Sequence, residues 1–278
     1  MLSLTQVKAE DLPYPHIVLK NAAPNFGDLL REFPKEDSFS NSIRMHADLT
    51  AGDVGYENLL EHSKSWRSFH EYVYSKNFIK DFLVIFDSYL DQEIQRGTLI
   101  FDPRDLEIRA EVVETREALQ NKSLVGEGRY LYSRLDFGIG KLHYGAENGG
   151  GGIHTDNASR LISILLYMNG DPTMLGGEHR MYSLDGYEPK LEKIYRPEAN
   201  MLIASLQTNR ALHDVNPITR LSVPRLAVYM AVSCSEKIWR EDSDSHLQKL
   251  TKNRWVAPKM TTLAKLKAAL GVRPKNNC

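Results

Sequence analysis

Two different spacings of hydrophobic residues divide the chain near residue 107. Before that point, apolar residues recur at every third or fourth position, which is the spacing of one helix face. One such stripe covers 25–33 and ends at Pro34, a residue that stops helices. A longer stripe covers 66–94 and predicts two helices that meet near 75–77. The first part of the chain is therefore predicted to be mostly helical.

After residue 107 the apolar residues occur in short runs separated by glycine, proline and asparagine, the pattern of β-strands joined by turns. The predicted strands cover 129–137, 140–144, 161–168, 177–182, 200–206 and 225–233. Strands at short intervals without helices between them favour an antiparallel barrel or sandwich. The Lys/Glu-rich stretch 190–193 looks like a solvated loop, and a last helix is predicted over 262–270.

The 278 residues are long enough for one substantial core. We expect a single domain, with helical N-terminal support over about 1–106, a β core over about 107–235 and a C-terminal extension over about 236–278. The formal net charge of -1 does not favour a nucleic-acid or membrane partner. No apolar run resembles a secretory signal, so we expect a cytoplasmic protein. Two cysteines are too few for a disulfide framework or a cysteine zinc site.

Candidate metal chemistry lies in His154-Thr155-Asp156, which follows the glycine run 149–152. On a strand, residues two apart point to the same side, so this histidine and this aspartate can face one ion. His213, far along the chain, can complete a set of two imidazoles and one carboxylate. That is the facial set of non-haem Fe(II) oxygenases. The alternative is a surface His/Asp pair and a hydrogen-bonded core histidine.

Further elements occur around these residues in a fixed order. They are Tyr144-Gly145, His154-Thr155-Asp156, Tyr167-Met168-Asn169, Gly176-Gly177-Glu178, His213-Asp214-Val215 and Arg225 at the start of an apolar strand. From about 142 to 232 this order resembles the prolyl-4-hydroxylase-like branch of the 2-oxoglutarate/Fe(II)-dependent dioxygenases. Several independent elements in sequence are more specific than any one of them.

The resemblance implies a mainly β (α+β) protein with flanking helices and a core that is a double-stranded β-helix, or jelly roll. It implies that His154, Asp156 and His213 bind Fe(II), and that 2-oxoglutarate and O2 occupy the remaining positions. Ascorbate is a further cofactor used in this family. The carboxylate of Asp156 argues against halogenase chemistry, which uses a site where a small residue replaces the acid.

A dicarboxylate held by a metal at one end needs a fixed cation at the other, and arginine meets a carboxylate with two parallel hydrogen bonds. Arg225 is preferred because it opens an apolar strand, whereas Arg220 lies in a loop and can be a solvated charge. The resemblance places Tyr144 and Tyr167 beside the co-substrate. Their alternative role is that of ordinary core aromatics.

Other polar residues near these motifs have two interpretations each. His143 is left as structural, and His179 either reaches the substrate or is a partly exposed side chain. Arg134, Asp136 and Arg160 either touch the substrate at the barrel mouth or form rim ion pairs of little energetic value.

The predicted activity is therefore oxidation of a C–H bond, coupled to conversion of 2-oxoglutarate to succinate and CO2. A small-molecule substrate, such as an amino acid or a natural-product intermediate, is the first choice, and peptidyl proline is the alternative. Fold alone does not identify the substrate. A non-enzymatic ligand-binding barrel and a zinc hydrolase with the same ligands are the hypotheses of other classes. The hydrolase leaves Arg225 and the tyrosines unexplained.

Overall fold

The computed structural model describes residues 1–39, 46–121, 127–142, 152–186 and 188–240, which contain ten strands and six helices. The strands are β1 (His16–Lys20), β2 (His46–Thr50), β3 (Glu107–Ile108), β4 (Tyr130–Gly140), β5 (Arg160–Tyr167), β6 (His179–Asp185), β7 (Glu188–Tyr195), β8 (Met201–Leu206), β9 (Leu212–Val215) and β10 (Arg225–Cys234). The helices are α1 (Phe26–Arg31), α2 (Val54–His62), α3 (Lys64–Val73), α4 (Lys76–Ile85), α5 (Asp87–Gln95) and α6 (Arg116–Asn121), with 3-10 turns at Glu36–Ser38 and Pro103–Asp105.

The strands form two sheets. The major sheet has seven strands in the order β1-β8-β5-β10-β4-β2, with β3 pairing in parallel with β4. The minor sheet has the order β7-β6-β9, and a bridge between His154 and His213 extends it beyond β9. All pairings except that of β3 are antiparallel.

From β4 onward the chain moves back and forth between the sheets. β4, β5, β8 and β10 belong to the major sheet, while the segment at His154, the β6–β7 hairpin and β9 belong to the minor sheet. Such alternation between two facing antiparallel sheets is the arrangement of a jelly roll. The predicted fold class, a double-stranded β-helix core with flanking helices, is confirmed.

The two faces of the major sheet have different neighbours because strand side chains alternate in direction. On the outer face, Phe137, Ile164 and Val228 belong to one hydrophobic cluster with helix residues such as Trp66 and Phe82. The helices therefore cover this face.

The inner face packs toward the minor sheet instead. Tyr167, Met201 and Ala227 of the major sheet form a second, smaller cluster with Met181 of β6. This cluster lies between the two sheets, in the interior of the jelly roll. A cleft between sheets is a common position for a ligand site.

The helix boundary predicted near 75–77 is confirmed and has a clear cause. The Oγ of Ser75 accepts a hydrogen bond from the backbone N–H of Phe78 at 3.2 Å and caps α4. Ser63 caps α3 in the same way, through the N–H of Trp66 at 3.0 Å. A serine oxygen satisfies a backbone donor that the first helical turn leaves free. The predicted pair of helices is in fact three, because the chain breaks again at Phe86 between α4 and α5.

The N-terminal part is mostly helical, as predicted, although its strands β1 and β2 join the major sheet. Other predictions of the elements differ from the structure. The stretch 190–193 is not a loop but part of β7, an exposed strand at the edge of the minor sheet, where charged side chains are tolerated. The strand predicted over 129–137 is part of the longer β4 (Tyr130–Gly140), and the strand predicted over 140–144 runs beyond residue 142 into a range that is not described. The helix predicted over 262–270 also lies outside the described residues.

Within the described ranges, every helix is too short or too polar to cross a bilayer.

Candidate functional site

The two predicted histidine ligands face each other across an antiparallel bridge. The backbone N–H of His154 donates to the carbonyl of His213 at 3.0 Å, and the reverse bond measures 2.9 Å. Their ring centroids are 4.6 Å apart. Residues directly opposite on paired strands lie side by side on the same face. Strand pairing therefore brings together two residues that are far apart in the sequence.

The carboxylate of Asp156 lies beside this pair. Its Oδ1 is 3.8 Å from Nε2 of His213. One ligand atom from each of His154, Asp156 and His213 lies within 4.8 Å of the other two. The structure thus brings the three predicted ligands into one group, on the part of the barrel where a metal can contact all of them.

Hydrogen bonds fix how the two imidazoles are presented. Nδ1 of His154 is 2.8 Å from the carbonyl of Gly152, and Nδ1 of His213 is 3.0 Å from the carbonyl of Ala211. A carbonyl only accepts, so each Nδ1 carries the proton and each Nε2 keeps a free lone pair. This is the arrangement that backbone carbonyls impose on metal-binding histidines.

The charges of the group suit a metal ion. Burial, followed by the nearby imidazole of His213, lowers the pKa of His154, so this imidazole is neutral near pH 7. Burial alone raises the pKa of Asp156. His213, Arg160 and the Ser163 hydroxyl outweigh that effect and bring the pKa down to about 2. Neutral imidazole and ionised carboxylate are the forms that bind metals.

The second oxygen of Asp156 is held by the protein. Oδ2 accepts a short hydrogen bond from Oγ of Ser163 on β5, while Oδ1 is turned to His213. The Ser163 oxygen is itself 3.3 Å from the hydroxyl of Tyr229 on β10. Hydrogen bonds of this kind orient a metal-binding carboxylate. No motif in the sequence indicates this bond between Ser163 and Asp156.

The predicted co-substrate residues Arg225 and Tyr167 lie together inside the jelly roll. The guanidinium carbon of Arg225 is 5.9 Å from the ring centroid of Tyr167, which is fully buried. Burial raises the pKa of Tyr167 to about 12, so its phenol keeps its proton. Nη1 of Arg225 donates to the carbonyl of Gly177 at 3.0 Å. Among the described residues, Arg225 Nε and the Tyr167 hydroxyl are buried without a hydrogen-bond partner.

The Gly176-Gly177 pair is required by the backbone at this point. Both residues have positive φ, +86° and +80°, a region that side-chain-bearing residues rarely adopt. A Cβ on Gly176 would lie only 1.7 Å from the carbonyl oxygen of Pro217. The turn therefore depends on glycine, and it presents the carbonyl that Arg225 binds.

The competing arginine has a different environment. Arg220 is exposed, and its Nε donates to the carbonyl of Thr173 at 3.0 Å in a loop. Arg225 therefore has the position expected of a co-substrate anchor, although its role remains a prediction. Tyr144 and His143 lie outside the described residues.

His179, for which the sequence left two interpretations open, lies close to the metal group. Its ring centroid is 5.5 Å from that of His213, and its Nε2 is buried with no partner in the described ranges. Burial, then the electrostatic interactions with His213 and Arg225, lowers its pKa to about 3. His179 is thus a neutral imidazole beside the metal group.

Sequence reasoning missed residues that the interior also contains. Tyr14 belongs to the same cluster as Tyr167, and its hydroxyl is buried without a partner within the described part of the chain. His16 is fully buried and lies 2.7 Å from the hydroxyl of Tyr195. No motif marks them, because they reach the interior only through the pairing of β1 with β8.

The fold and the site together define a jelly-roll protein with a candidate two-histidine, one-carboxylate metal group. No protein-family model matches the sequence, and no curated protein matches it. Among solved structures the chain is similar to a Pseudomonas putida prolyl-4-hydroxylase, with 15% identity, a TM-score of 0.44, and coverage of 78% of this chain and 91% of that chain.

Two further solved structures are similar at the same 15% identity. For prolyl 4-hydroxylases from Phytophthora capsici the TM-score is 0.43, with coverage of 78% of this chain but only 58% of that chain. For a Trichoplax adhaerens prolyl hydroxylase in complex with a hypoxia inducible factor oxygen degradation domain peptide fragment, the TM-score is 0.35, with coverage of 78% and 83%. Similarity at this level does not indicate the activity of this protein, and the residues of the site have to do so.

Proposed function

We propose that this protein is an Fe(II)- and 2-oxoglutarate-dependent dioxygenase that hydroxylates a C–H bond of a small molecule, such as an amino acid or a natural-product intermediate. The observation that carries the proposal is the grouping of His154, Asp156 and His213, with ligand atoms within 4.8 Å of one another. Two imidazoles and one carboxylate form the facial set that leaves other metal positions open.

The bound cofactors would supply the oxidising chemistry, in which 2-oxoglutarate and O2 become succinate and CO2. One oxygen atom of O2 would end in succinate, and the other would convert a C–H bond of the substrate to C–OH. The protein's part is to bind and orient. His154 and His213 direct Nε2 toward the metal position, because each Nδ1 bonds a carbonyl. Ser163 holds one oxygen of Asp156 and leaves the other for the metal.

The unsatisfied groups of the interior support 2-oxoglutarate as the co-substrate. A buried polar group without a partner costs free energy, so its presence in a folded protein needs an explanation. Arg225 Nε and the Tyr167 hydroxyl are both buried donors in this condition among the described residues. A carboxylate is an acceptor that satisfies both, and the metal would hold the 2-oxo acid at the other end.

A small substrate suits the wall beside Asp156. The side chains of Arg134, Asp136, Glu114 and Arg160 on this wall are only 15%, 7%, 17% and 15% exposed. Recessed polar groups favour a molecule that enters a cleft over a chain that crosses a surface. Peptidyl proline remains the alternative, in keeping with the peptide carried by the Trichoplax adhaerens structure.

The proposal is tested by anaerobic titration of the purified protein with Fe(II) and 2-oxoglutarate, following the metal-to-ligand absorption band in the visible. We expect a band in the wild type, none in His154→Ala, a much weaker one in Arg225→Ala and an unchanged one in Arg220→Ala. If the wild-type protein shows no band and consumes no 2-oxoglutarate in air with Fe(II) and ascorbate, the oxygenase proposal is wrong.

The same samples separate the other classes of function. A non-enzymatic barrel would bind ligand without releasing succinate, and a zinc hydrolase would be active with Zn²⁺ and independent of 2-oxoglutarate. Small-molecule and prolyl-peptide substrates are then compared by the succinate released above the uncoupled rate. Hydroxylation of the peptides alone would replace the small-molecule assignment.

A further inference from the structure

We propose that Arg160 anchors a carboxylate of the primary substrate, so that the molecule oxidised at this site is a small carboxylic acid. The inference rests on the oxygenase function proposed above and specifies its substrate class. It arises from the position of Arg160 and from the lack of a close anionic partner for its guanidinium.

Arg160 opens β5, four residues after the metal-binding acid. Its Nη1 is 3.9 Å from Oδ2 of Asp156, and its guanidinium carbon is 5.2 Å from the ring centroid of Tyr229. The side chain is only 15% exposed, and among the described residues its Nε is buried without a hydrogen-bond partner. A guanidinium that lies over an aromatic ring is held in place before a ligand arrives.

Two other half-buried arginines are paired with carboxylates far more closely. Arg180 makes two hydrogen bonds to Asp214, at 2.8 and 2.6 Å. Arg116 makes two to Asp53, at 2.7 and 2.6 Å. Paired arginine and carboxylate groups normally lie within such distances. The 3.9 Å separation at Arg160 therefore leaves its donors available.

The nearest acids on the wall are already engaged. Oδ2 of Asp156 accepts the hydroxyl of Ser163. Asp136 lies 2.6 Å from Nε of Arg134, and Glu114 lies 3.5 Å from Nη1 of the same arginine. Arg134 therefore has two carboxylates within ion-pair distance, whereas Asp156, the carboxylate that approaches Arg160 among the described residues, lies 3.9 Å away.

The shape of the side chain points the same way. The planar fork of the Arg160 guanidinium matches the two oxygens of a carboxylate.

The position also suits the chemistry. A carboxylate held by Arg160 lies next to Asp156, so the carbons adjoining that carboxylate are near the metal position. Binding energy at a non-reacting group would then orient the C–H bond.

The test uses the anaerobic wild-type protein loaded with Fe(II) and 2-oxoglutarate. A set of free α-amino acids and short carboxylic acids, each paired with its primary amide, is titrated while the visible band is followed. We expect at least one acid to perturb the band at a concentration at least about tenfold lower than its amide. In Arg160→Gln, with the band itself retained, that acid should bind about tenfold to a hundredfold more weakly.

Two further variants complete the design. Arg160→Lys keeps the charge and should recover part of the affinity. Arg129→Gln removes an exposed arginine that pairs with Glu236 and should bind like the wild type. Succinate release with the binding acid gives an independent readout of coupling.

The outcomes are distinguishable. A missing band in the wild type would refute the oxygenase itself. If the band is normal but no acid binds, or acid and amide bind alike, or Arg160→Gln keeps its affinity, the substrate assignment is wrong. Loss of the band in Arg160→Gln would show that Arg160 positions Asp156 instead of binding substrate.

Discussion

The two faces of the major sheet are formed by the same strands but place their side chains in different environments. On the outer face, side chains such as Phe137 and Ile164 pack against helices in a continuous apolar cluster. On the inner face, Arg225, Tyr167 and Arg160 keep buried polar atoms without partners among the described residues. Neighbouring residues on a strand point to opposite faces. One strand can therefore contribute apolar side chains to the packed core and polar side chains without hydrogen-bond partners to the site. The comparison predicts that mutations on the outer face alter stability, and those on the inner face alter ligand binding.

The largest expected effect is on the outer face. Phe137 is fully buried and contacts the rings of Phe33, Tyr56 and Trp66, with centroids 5.7, 5.7 and 4.7 Å away. Phe137→Ala should lower the free energy of unfolding by about 3–5 kcal/mol, because it leaves a cavity in a packed core. Urea denaturation measures the loss. The fraction that remains folded should bind Fe(II) with wild-type affinity, and a large loss of metal affinity in that fraction would contradict the separation of the two faces.

A matched pair of serines sharpens the comparison. Ser163, on the inner face, donates to Asp156, whereas Ser133, on the outer face, donates to the carbonyl of Val73 at 2.7 Å. Ser163→Ala should weaken Fe(II) binding by about tenfold to a hundredfold, because the metal-binding carboxylate loses its orienting bond. Ser133→Ala should lower stability by about 1 kcal/mol and leave metal affinity unchanged. Equal metal affinities in the two variants would show that Ser163 does not orient the metal-binding carboxylate.

The pH dependence of stability reports on the inner face. Burial first, then His213 and Arg225, lowers the pKa of His179 to about 3 in the folded protein, against about 6.5 when unfolded. Between these values the unfolded chain binds more protons, so this contribution is intact above about pH 6.5 and is lost as pH falls toward 3. Metal-free protein should be roughly 1–2 kcal/mol less stable at pH 5 than at pH 7.5 from this residue.

Denaturation curves at the two pH values check that prediction. His179→Gln should reduce the difference between them, while His62→Gln, which changes an exposed residue of α2, should not. The remaining difference would come from His154, His16 and His70, whose pKa values burial also lowers. An unchanged pH dependence in His179→Gln would mean that this imidazole is not buried in the neutral form.

The sequence predicted those parts of the molecule that short-range pattern controls. The apolar runs of β5, β8 and β10 were predicted because buried strands have that composition wherever they lie. β7 was missed because an exposed edge strand has the composition of a loop. β1 was missed because its main partner is β8, far along the chain, and local pattern does not encode that pairing.

The residues of the site also fall into those that the sequence predicted and those that it did not. His154, Asp156 and His213 were proposed together because one motif and one family order contained them, and the structure places them within reach of one ion. Tyr14 and Tyr229 belong to no motif, and they come near the site only through the fold. The 3.9 Å separation between Arg160 and Asp156 is a distance that no sequence pattern gives.

The smallest expected effect is also the most specific, because the same Tyr→Phe change should affect a different quantity at each of two tyrosines. It should change 2-oxoglutarate affinity at Tyr167 and stability at Tyr182. The Tyr167 hydroxyl is a buried donor without a partner in the described ranges, whereas that of Tyr182 donates to Asp214 at 3.1 Å. Tyr167→Phe should leave the ligand-free protein as stable as the wild type or slightly more stable, and should weaken 2-oxoglutarate binding by about 1 kcal/mol, or fivefold. Tyr182→Phe should cost about 1 kcal/mol of stability with unchanged 2-oxoglutarate affinity. Urea denaturation and the anaerobic visible titration measure the two quantities. If Tyr167→Phe loses stability without losing affinity, its hydroxyl belongs to the packed wall of the jelly roll, and Arg225 alone would remain to anchor the co-substrate.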